Sequence, residues 1–128
     1  MRAIMVQGKD IYDILTGLRP TDYRIWEPQD RKGRILICTA AKKYKGYPCG
    51  YAICTAEIGK VEKYPAEALD GGDLFGWQLK KIRLIEPFPL KVRSRQTFFE
   101  VEDAAVRELK GVRLQDWVET YYDPIRSW

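Results

Sequence analysis

The 128-residue sequence contains no histidine. This absence excludes Ser-His and Cys-His catalysis, histidine-containing zinc sites and the most common general base. Any acid–base chemistry must therefore use lysine, aspartate, glutamate, tyrosine, threonine or cysteine side chains. The chain has three cysteines, Cys38, Cys49 and Cys54, and no CxxC pair. We therefore expect no metal site and no cofactor.

The sequence also lacks a long apolar segment. No run approaches the length of a membrane span, and the first residues, MRAIMVQGKD, have no signal-peptide core. An odd number of cysteines without an export signal favours reduced thiols. With 45% hydrophobic and 31% charged residues, the composition is typical of one globular unit that buries its own core. We expect a cytoplasmic protein, monomeric and without a membrane partner.

The positive charge is unevenly distributed. The net charge is +4, but residues 100–128 contain four basic and seven acidic side chains, so residues 1–99 carry +7. A positive field of this kind suits an anionic partner such as RNA or a nucleotide. Solubility alone explains a charge of this size equally well, so the charge by itself leaves both interpretations open.

The first part of the chain reads as strand, helix and strand. Residues 3–6 form a short apolar run, and Ile11, Ile14 and Leu15 follow at helical spacing, with Gly17 in the position of a C-cap. Pro20 prevents the helix from continuing. The segment TDYRIW then predicts a strand whose polar face carries Asp22, Arg24 and Trp26.

The later segments add three strands and a helical tail. RILICTA predicts a buried strand, AKKYKGYPCG a basic and aromatic loop, and YAICTAEIGKVEKY a further strand. PAEALDGGDLF has room for one helical turn, and GWQLKKIRLIEPFP predicts a strand with a bulge near Lys80 and Lys81. QTFFEV predicts a short last strand. The tail predicts a short helix, a break at Gly111 and a second helix with one apolar stripe, which contains Leu114, Trp117, Val118 and Tyr121.

Four segments in this order resemble the ASCH domain of the PUA-like superfamily. GLRPTDYR is similar to the ASCH signature Gly-x-Lys-x-x-Glu-x-Arg, with Gly17, Arg19, Asp22 and Arg24 at its four fixed positions. GRILICTA, YAICTAEIGKVEKY and FGWQLKKIRLIEPFPLKVRSRQTFFEV follow as in the family. The resemblance covers residues 1–102 and implies an α+β, mainly β fold, a small barrel of five to six strands with a helix after the first. Residues 103–128 are then a C-terminal helical extension packed on the barrel.

The resemblance implies a binding function. PUA-like modules bind RNA, and several hold a single base in a pocket beside the barrel. Arginines fit phosphates, a carboxylate accepts a base amino group, and aromatic rings interleaved with lysines suit single-stranded nucleic acid. We therefore predict that single-stranded RNA, a nucleotide or a modified base binds between LRPTDYRIW and KKYKGYPCG. The candidate binding residues are Arg19, Asp22, Arg24, Trp26, Lys42, Lys43, Tyr44 and Tyr47.

The alternative function is hydrolytic. Some ASCH proteins resemble ribonucleases, and others resemble amidohydrolases of N4-acetylcytidine in which a lysine, a threonine and a later glutamate act together. In this sequence Arg19 stands in the place of the lysine and Asp22 in that of the threonine, while Glu57 corresponds to the glutamate. An arginine neither accepts a hydrogen bond nor acts as a base at ordinary pH. Asp22 and Glu57 are the candidate catalytic residues of this alternative, and binding is the leading prediction.

Several of these residues also have a structural interpretation. Arg19, Asp22 and Arg24 form either a ligand pocket or a local salt-bridge network that closes the barrel end. Glu57 is either a second acid in the pocket or a solvated strand residue. Trp77 opens an apolar strand and is expected in the core.

The three cysteines are expected to differ in burial. Cys38 and Cys54 lie in predicted buried strands, so we expect them to be unreactive, whereas Cys49 in the lysine loop is the thiol expected to be exposed. The C-terminal aromatic residues dock either on the barrel or on a partner chain. They are Trp117, Tyr121, Tyr122 and Trp128.

Overall fold

The computed structural model describes residues 1–65, 72–91 and 98–128. Most of the helical turn predicted within PAEALDGGDLF lies outside these residues, as do the first two residues of QTFFEV. The elements of the described chain are six strands and two short α-helices. They are β1 (Arg2–Val6), α1 (Ile11–Thr16), β2 (Thr21–Arg24), β3 (Arg34–Thr39), β4 (Tyr51–Tyr64), β5 (Leu74–Pro89), β6 (Phe99–Glu100) and α2 (Leu114–Trp117).

The six strands form one mixed sheet in the order β2-β5-β4-β3-β1-β6. Strands β1 and β3 are parallel, and every other neighbouring pair is antiparallel. A parallel pair needs a long crossover connection, which residues 7–33 supply with α1 and β2. The α+β, mainly β architecture predicted from the sequence is confirmed.

Helix α1 follows the sequence pattern closely. Its buried residues are Ile11, Ile14 and Leu15, and the backbone N–H of Gly17 donates to the Ile14 carbonyl at 3.2 Å. Gly17 has φ 75°, a left-handed conformation that a glycine adopts without the steric penalty of a Cβ. The helix therefore ends at Thr16, and the chain returns to the sheet at Thr21.

The long hairpin of β4 and β5 contains the predicted bulge. Thr55 pairs with Arg83 whereas Glu57 pairs with Lys80, so β5 has one residue more than β4 over this interval. The backbone at Lys81, within this interval, has φ 52°, which is uncommon for a residue with a side chain. The bulge changes which face of the sheet the later residues of β5 occupy.

The sheet has a different hydrophobic cluster on each face. Alternation along β3 places Ile35 and Ile37 in the main core, together with the buried face of α1 and Trp77. Leu36 and Cys38 point the other way and pack in a smaller cluster with Ile85 and parts of β6. The burial of Trp77 confirms its predicted place in the core.

The C-terminal segment differs from its predicted secondary structure. Where the first short helix of this segment was expected, Asp103–Ala105 forms a single turn of the 3-10 type. The following residues run along β5, where Glu86 N–H donates to the Arg107 carbonyl and Leu109 N–H to the Leu84 carbonyl, both at 2.9 Å. A short isolated helix is marginal in water, and pairing with β5 satisfies backbone groups on both segments, so tertiary pairing overrides local propensity.

The second predicted helix is present and is anchored in the main core. Helix α2 continues as a π-helical turn over Val118–Tyr122, and Trp117, Val118 and Tyr122 are buried. The indole N–H of Trp117 donates to the Ile85 carbonyl at 2.8 Å. The C-terminal segment thus contributes to the same core as the sheet, while the division of the chain at residue 102 stays a prediction.

Trp117→Ala is expected to lower the free energy of unfolding by about 3–5 kcal/mol, because it leaves a cavity and frees a buried carbonyl. Leu18→Ala, at a residue 73% exposed, is the control and should stay within about 0.5 kcal/mol of wild type. Guanidinium denaturation measures both. Equal effects of the two substitutions would show that the C-terminal segment adds little to the core.

Candidate functional site

Asp22 and Arg24 form a half-buried ion pair on β2. The Arg24 Nε donates to Asp22 Oδ2 at 2.6 Å, and their side chains are only 15% and 13% exposed. The guanidinium lies 5.3 Å from the centroid of the Trp77 ring, and its Nη2 donates to the Met5 carbonyl. Since β2 is one edge of the sheet and β1 lies next to the other, Arg24 joins the two ends of a curled sheet.

The environment of Asp22 opposes its ionisation. Burial raises the pKa of Asp22 above its ordinary value of 3.8, the charge and hydrogen bond of Arg24 act against this increase, and repulsion from Asp10 adds to it. The carboxylate therefore depends on Arg24, because a buried charge without a partner is strongly unfavourable.

This shift predicts a pH dependence of stability. Because the folded pKa of Asp22 is raised, the folded protein holds more protons than the unfolded chain between pH 3.8 and the raised value. The contribution of Asp22 to the free energy of unfolding is therefore complete below pH 3.8 and declines as the pH rises through the folded pKa. Guanidinium denaturation over this range should show wild type losing stability relative to Asp22→Asn as the pH rises.

The exposed Glu102→Gln variant is the control for the change of net charge in this experiment. Wild type that keeps or gains stability relative to Asp22→Asn as the pH rises would contradict the raised pKa.

The other candidates in GLRPTDYRIW point to solvent. The Arg19 side chain is 81% exposed, and its Nε lies 3.9 Å from Asp13 Oδ2. Trp26 lies beyond the end of β2 and is 56% exposed, and its carbonyl accepts the indole N–H of Trp77 at 2.9 Å. The segment thus has two parts, the ion pair of Asp22 and Arg24 turned to the core and two exposed side chains on either side of it.

Glu57 lies on the opposite face of the sheet from Asp22. Asp22 pairs directly with Trp77 of the main core, whereas Glu57 pairs with Arg34, which shares a face with Leu36 of the smaller cluster. The Glu57 carboxylate lies 3.4 Å from Arg34 Nη1 and 3.9 Å from Lys81 Nζ. The structure therefore does not bring the two candidate carboxylates together in one pocket.

Arg34 is the centre of the charged cluster around Glu57. Its Nε donates to Thr55 Oγ1 at 3.0 Å and lies 3.8 Å from Glu108 Oε1, and the Arg83 guanidinium is 3.6 Å from the other oxygen of Glu108. Burial lowers the pKa of Arg34, the positive charge of Arg83 lowers it further, and the two carboxylates oppose the shift. These contacts attach the C-terminal segment, through Glu108, to β3 and β5.

The lysine loop, residues 41–50, is held at several points. Its backbone carbonyl at Tyr47 accepts hydrogen bonds from Ser127 N–H at 3.1 Å and Ser127 Oγ at 2.6 Å. On the other side the loop packs against Gly8, where a Cβ would lie 2.6 Å from the Pro48 carbonyl oxygen. A loop rich in charge and glycine is therefore fixed between the start of α1 and the C-terminal segment.

Two lysines of this region lie close to one aromatic ring. Lys9 Nζ and Lys42 Nζ lie 5.3 Å and 5.1 Å from the centroid of the Tyr44 ring. Lys43 Nζ donates to the Trp128 carbonyl at 3.1 Å. Lys42, Lys43 and Lys45 are exposed, and Tyr44 and Tyr47 are half-buried.

A cleft of about 560 Å³ lies beside this loop. Of the candidate binding residues predicted from the sequence only Tyr47 lines it. The structure adds a further lysine of the loop and residues from α1, from the turn before it and from the C-terminal segment. They include Lys9, Tyr12, Lys45, Arg126 and Trp128. Asp13 and Asp123 also line the cleft, and each lies within 4.0 Å of an arginine. Sequence reasoning missed Lys9, Tyr12, Arg126 and Trp128 because they are far from the loop along the chain.

Four lysines lie around this loop without an ion pair among the described residues, and Lys32, Lys80, Lys91 and Lys110 likewise have none elsewhere in these residues. Over the three described ranges, the ion pairs of lysine involve Lys60, Lys63 and Lys81, each with one carboxylate. No ion pair within these ranges involves the four lysines around the loop. We call these four, Lys9, Lys42, Lys43 and Lys45, together with Tyr44 and Tyr47, the basic-aromatic surface.

The prediction that two cysteines are buried is confirmed, whereas Cys49, expected to be exposed, is only partly so. Cys38 and Cys54 are buried, and burial raises the pKa of both thiols, that of Cys54 to about 12, so neither is a thiolate at neutral pH. Cys49 is half-buried. In the part of the chain that the structure describes, no group of three His, Cys, Asp or Glu side chains is placed to hold a metal ion. None of its helices is long and apolar enough to cross a membrane.

Comparisons with known proteins identify the fold. Three crystal structures of an ASCH protein from Zymomonas mobilis are similar to this chain, one of the protein itself, one of a serine-to-alanine variant and one of a tyrosine-to-phenylalanine variant. Each has a TM-score of 0.61 and 14% identity over 80% of this chain, and the match covers 88% of the first two and 90% of the third. No family model and no curated protein matches the chain. At this identity the likeness establishes the fold alone, and it confirms the ASCH fold predicted from the sequence.

Proposed function

We propose that the protein binds single-stranded RNA or a nucleotide through the basic-aromatic surface. The observation that carries this proposal is the set of four lysines with no carboxylate partner among the described residues, placed around Tyr44 and Tyr47 beside a cleft. A cytoplasmic location, predicted from the sequence, belongs to the same proposal.

Charge and aromatic rings serve different parts of such a ligand. Lysines attract phosphates and release the counterions that surround them, which supplies affinity without sequence preference. Aromatic rings stack on unpaired bases, which single strands offer and duplexes do not. The combination on one surface therefore supports a single-stranded ligand.

The position of the ion pair supports a structural contribution to this function. Arg24 uses its Nε, its Nη2 and one ring contact within the protein, and Asp22 Oδ2 accepts from it. In this proposal the two residues close the sheet and thereby hold α1 and the lysine loop in fixed positions. Arg19 and Trp26 remain exposed and available to a long ligand.

Binding is proposed in preference to hydrolysis because the candidate catalytic groups lie apart. Asp22 and Glu57 occupy opposite faces of the sheet, and each is already paired with an arginine. Incubation with RNA and with N4-acetylcytidine tests the alternative. Product formation that is abolished in either Asp22→Asn or Glu57→Gln would establish a hydrolase, whereas activity that persists in both variants would point to contamination.

The salt dependence of RNA binding tests the proposal. For single strands, each phosphate neutralised by a lysine contributes about 0.7 to the slope of log K against log salt. Lys42→Ala combined with Lys45→Ala is expected to weaken binding and to reduce that slope by about 1.4. Fluorescence anisotropy of a labelled single-stranded RNA at several salt concentrations measures both quantities.

The matched control is Lys60→Ala combined with Lys63→Ala, which removes the same charge from lysines that are paired with Glu62 and Asp73. It should leave the slope close to that of wild type. Equal effects of the two double variants would mean that net charge alone attracts RNA. Absence of binding by wild type to RNA and to nucleotides would disprove the proposal.

A further inference from the structure

We infer that the cleft beside the lysine loop is a nucleobase-stacking site in which Trp128, supported by Arg126, supplies the stacking face. This inference rests on the proposed function and names the part of the ligand that the cleft recognises. It assigns a binding role to the C-terminal segment, which the sequence motifs leave without one.

Trp128 is an exposed indole with one face covered. The residue is 69% exposed, and the Arg126 guanidinium carbon lies 4.6 Å from its ring centroid. One face of the ring contacts this cation, and the 69% exposure of the residue leaves indole surface open to a flat ligand. An indole stacked on a guanidinium also gives a base a rigid platform, since aromatic rings and Arg planes both stack bases.

The support of this ring is itself fixed. Arg126 Nε donates to the Gly46 carbonyl at 2.7 Å, and its Nη1 lies 3.4 Å from Asp123 Oδ1. Ser127, between the two residues, donates to the Tyr47 carbonyl through both its backbone and its side chain. Lys43 holds the Trp128 carbonyl. The platform is therefore ordered before a ligand arrives, which reduces the entropic cost of binding.

The rest of the cleft suits the sugar and phosphate of the same nucleotide. Lys9 and Lys45 line it, and neither has a carboxylate within 4.0 Å in the described ranges. A volume of about 560 Å³ lies within the range of small-molecule sites and has room for one nucleotide. One exposed aromatic face with two unpaired cations is the chemistry of a nucleotide unit, either free or within a strand.

Trp26 is the competing platform, because it is the other exposed tryptophan, at 56%. It lies at the end of β2, outside the cleft, and among the described residues no cation lies over its ring. The remaining two tryptophans, Trp77 and Trp117, are fully buried. Quenching of intrinsic fluorescence by a stacked base therefore reports on Trp26 and Trp128 alone.

Fluorescence titration of the whole chain with short single-stranded RNA, and separately with adenosine and uridine monophosphates, tests the inference. Quenching should be lost in Trp128→Phe and kept in Trp26→Phe. Trp128→Ala should weaken binding by about 5- to 150-fold, the range expected for one stacked base. Because Trp128 is exposed, circular dichroism should show an unchanged fold.

The other outcomes separate this inference from the proposed function. RNA binding with quenching that disappears in Trp26→Phe, or with full affinity in Trp128→Ala, would overturn the stacking site and leave the RNA-binding function standing. Equal affinity for an abasic oligonucleotide would likewise overturn it, because the cleft would then recognise charge alone. If wild type binds none of these probes, the proposed function itself fails. Binding of RNA but of neither mononucleotide would show that the stacked base belongs to a strand.

Discussion

Arg24 holds together two parts of the sheet that the chain places far apart. Its guanidinium reaches the Met5 carbonyl of β1 from β2, while Asp22 supplies the charge that a half-buried cation requires. This contact closes the curl of the sheet, and α1 lies in the connection between the same two strands. The signature residues are thus committed largely to architecture, and the surface offered to a ligand lies on the neighbouring loop.

That surface exists because three distant segments converge. Gly8 allows the loop backbone to approach the start of α1, and Ser127 attaches the loop to the C-terminal segment. Lys9 and Lys45 thereby line one cleft with Trp128. A loop fixed on both sides presents its lysines and aromatic rings at constant positions, so charge and stacking act on one ligand together.

The parts of the fold that local patterns specify were predictable. The helical spacing of Ile11 and Ile14, the C-cap glycine and the phase change at Lys80 and Lys81 each depend on residues that are close in sequence. The tail was predicted less well, since Arg107, Glu108 and Leu109 pair with β5 instead of forming a helix. Their conformation is decided by free backbone groups on a distant strand, which no local pattern contains.

The sequence by itself determined the absence of histidine chemistry, the +7 charge of residues 1–99 and the succession of strands that gives the ASCH fold. Only the tertiary structure decided that Asp22 and Glu57 lie on opposite faces, and that the lysines around Tyr44 have no carboxylate partner in the described chain. The physical reason is that the register of the strands and the curvature of the sheet decide which side chains from distant segments lie next to each other. These are properties of the assembled sheet, whereas composition and periodicity are properties of the chain.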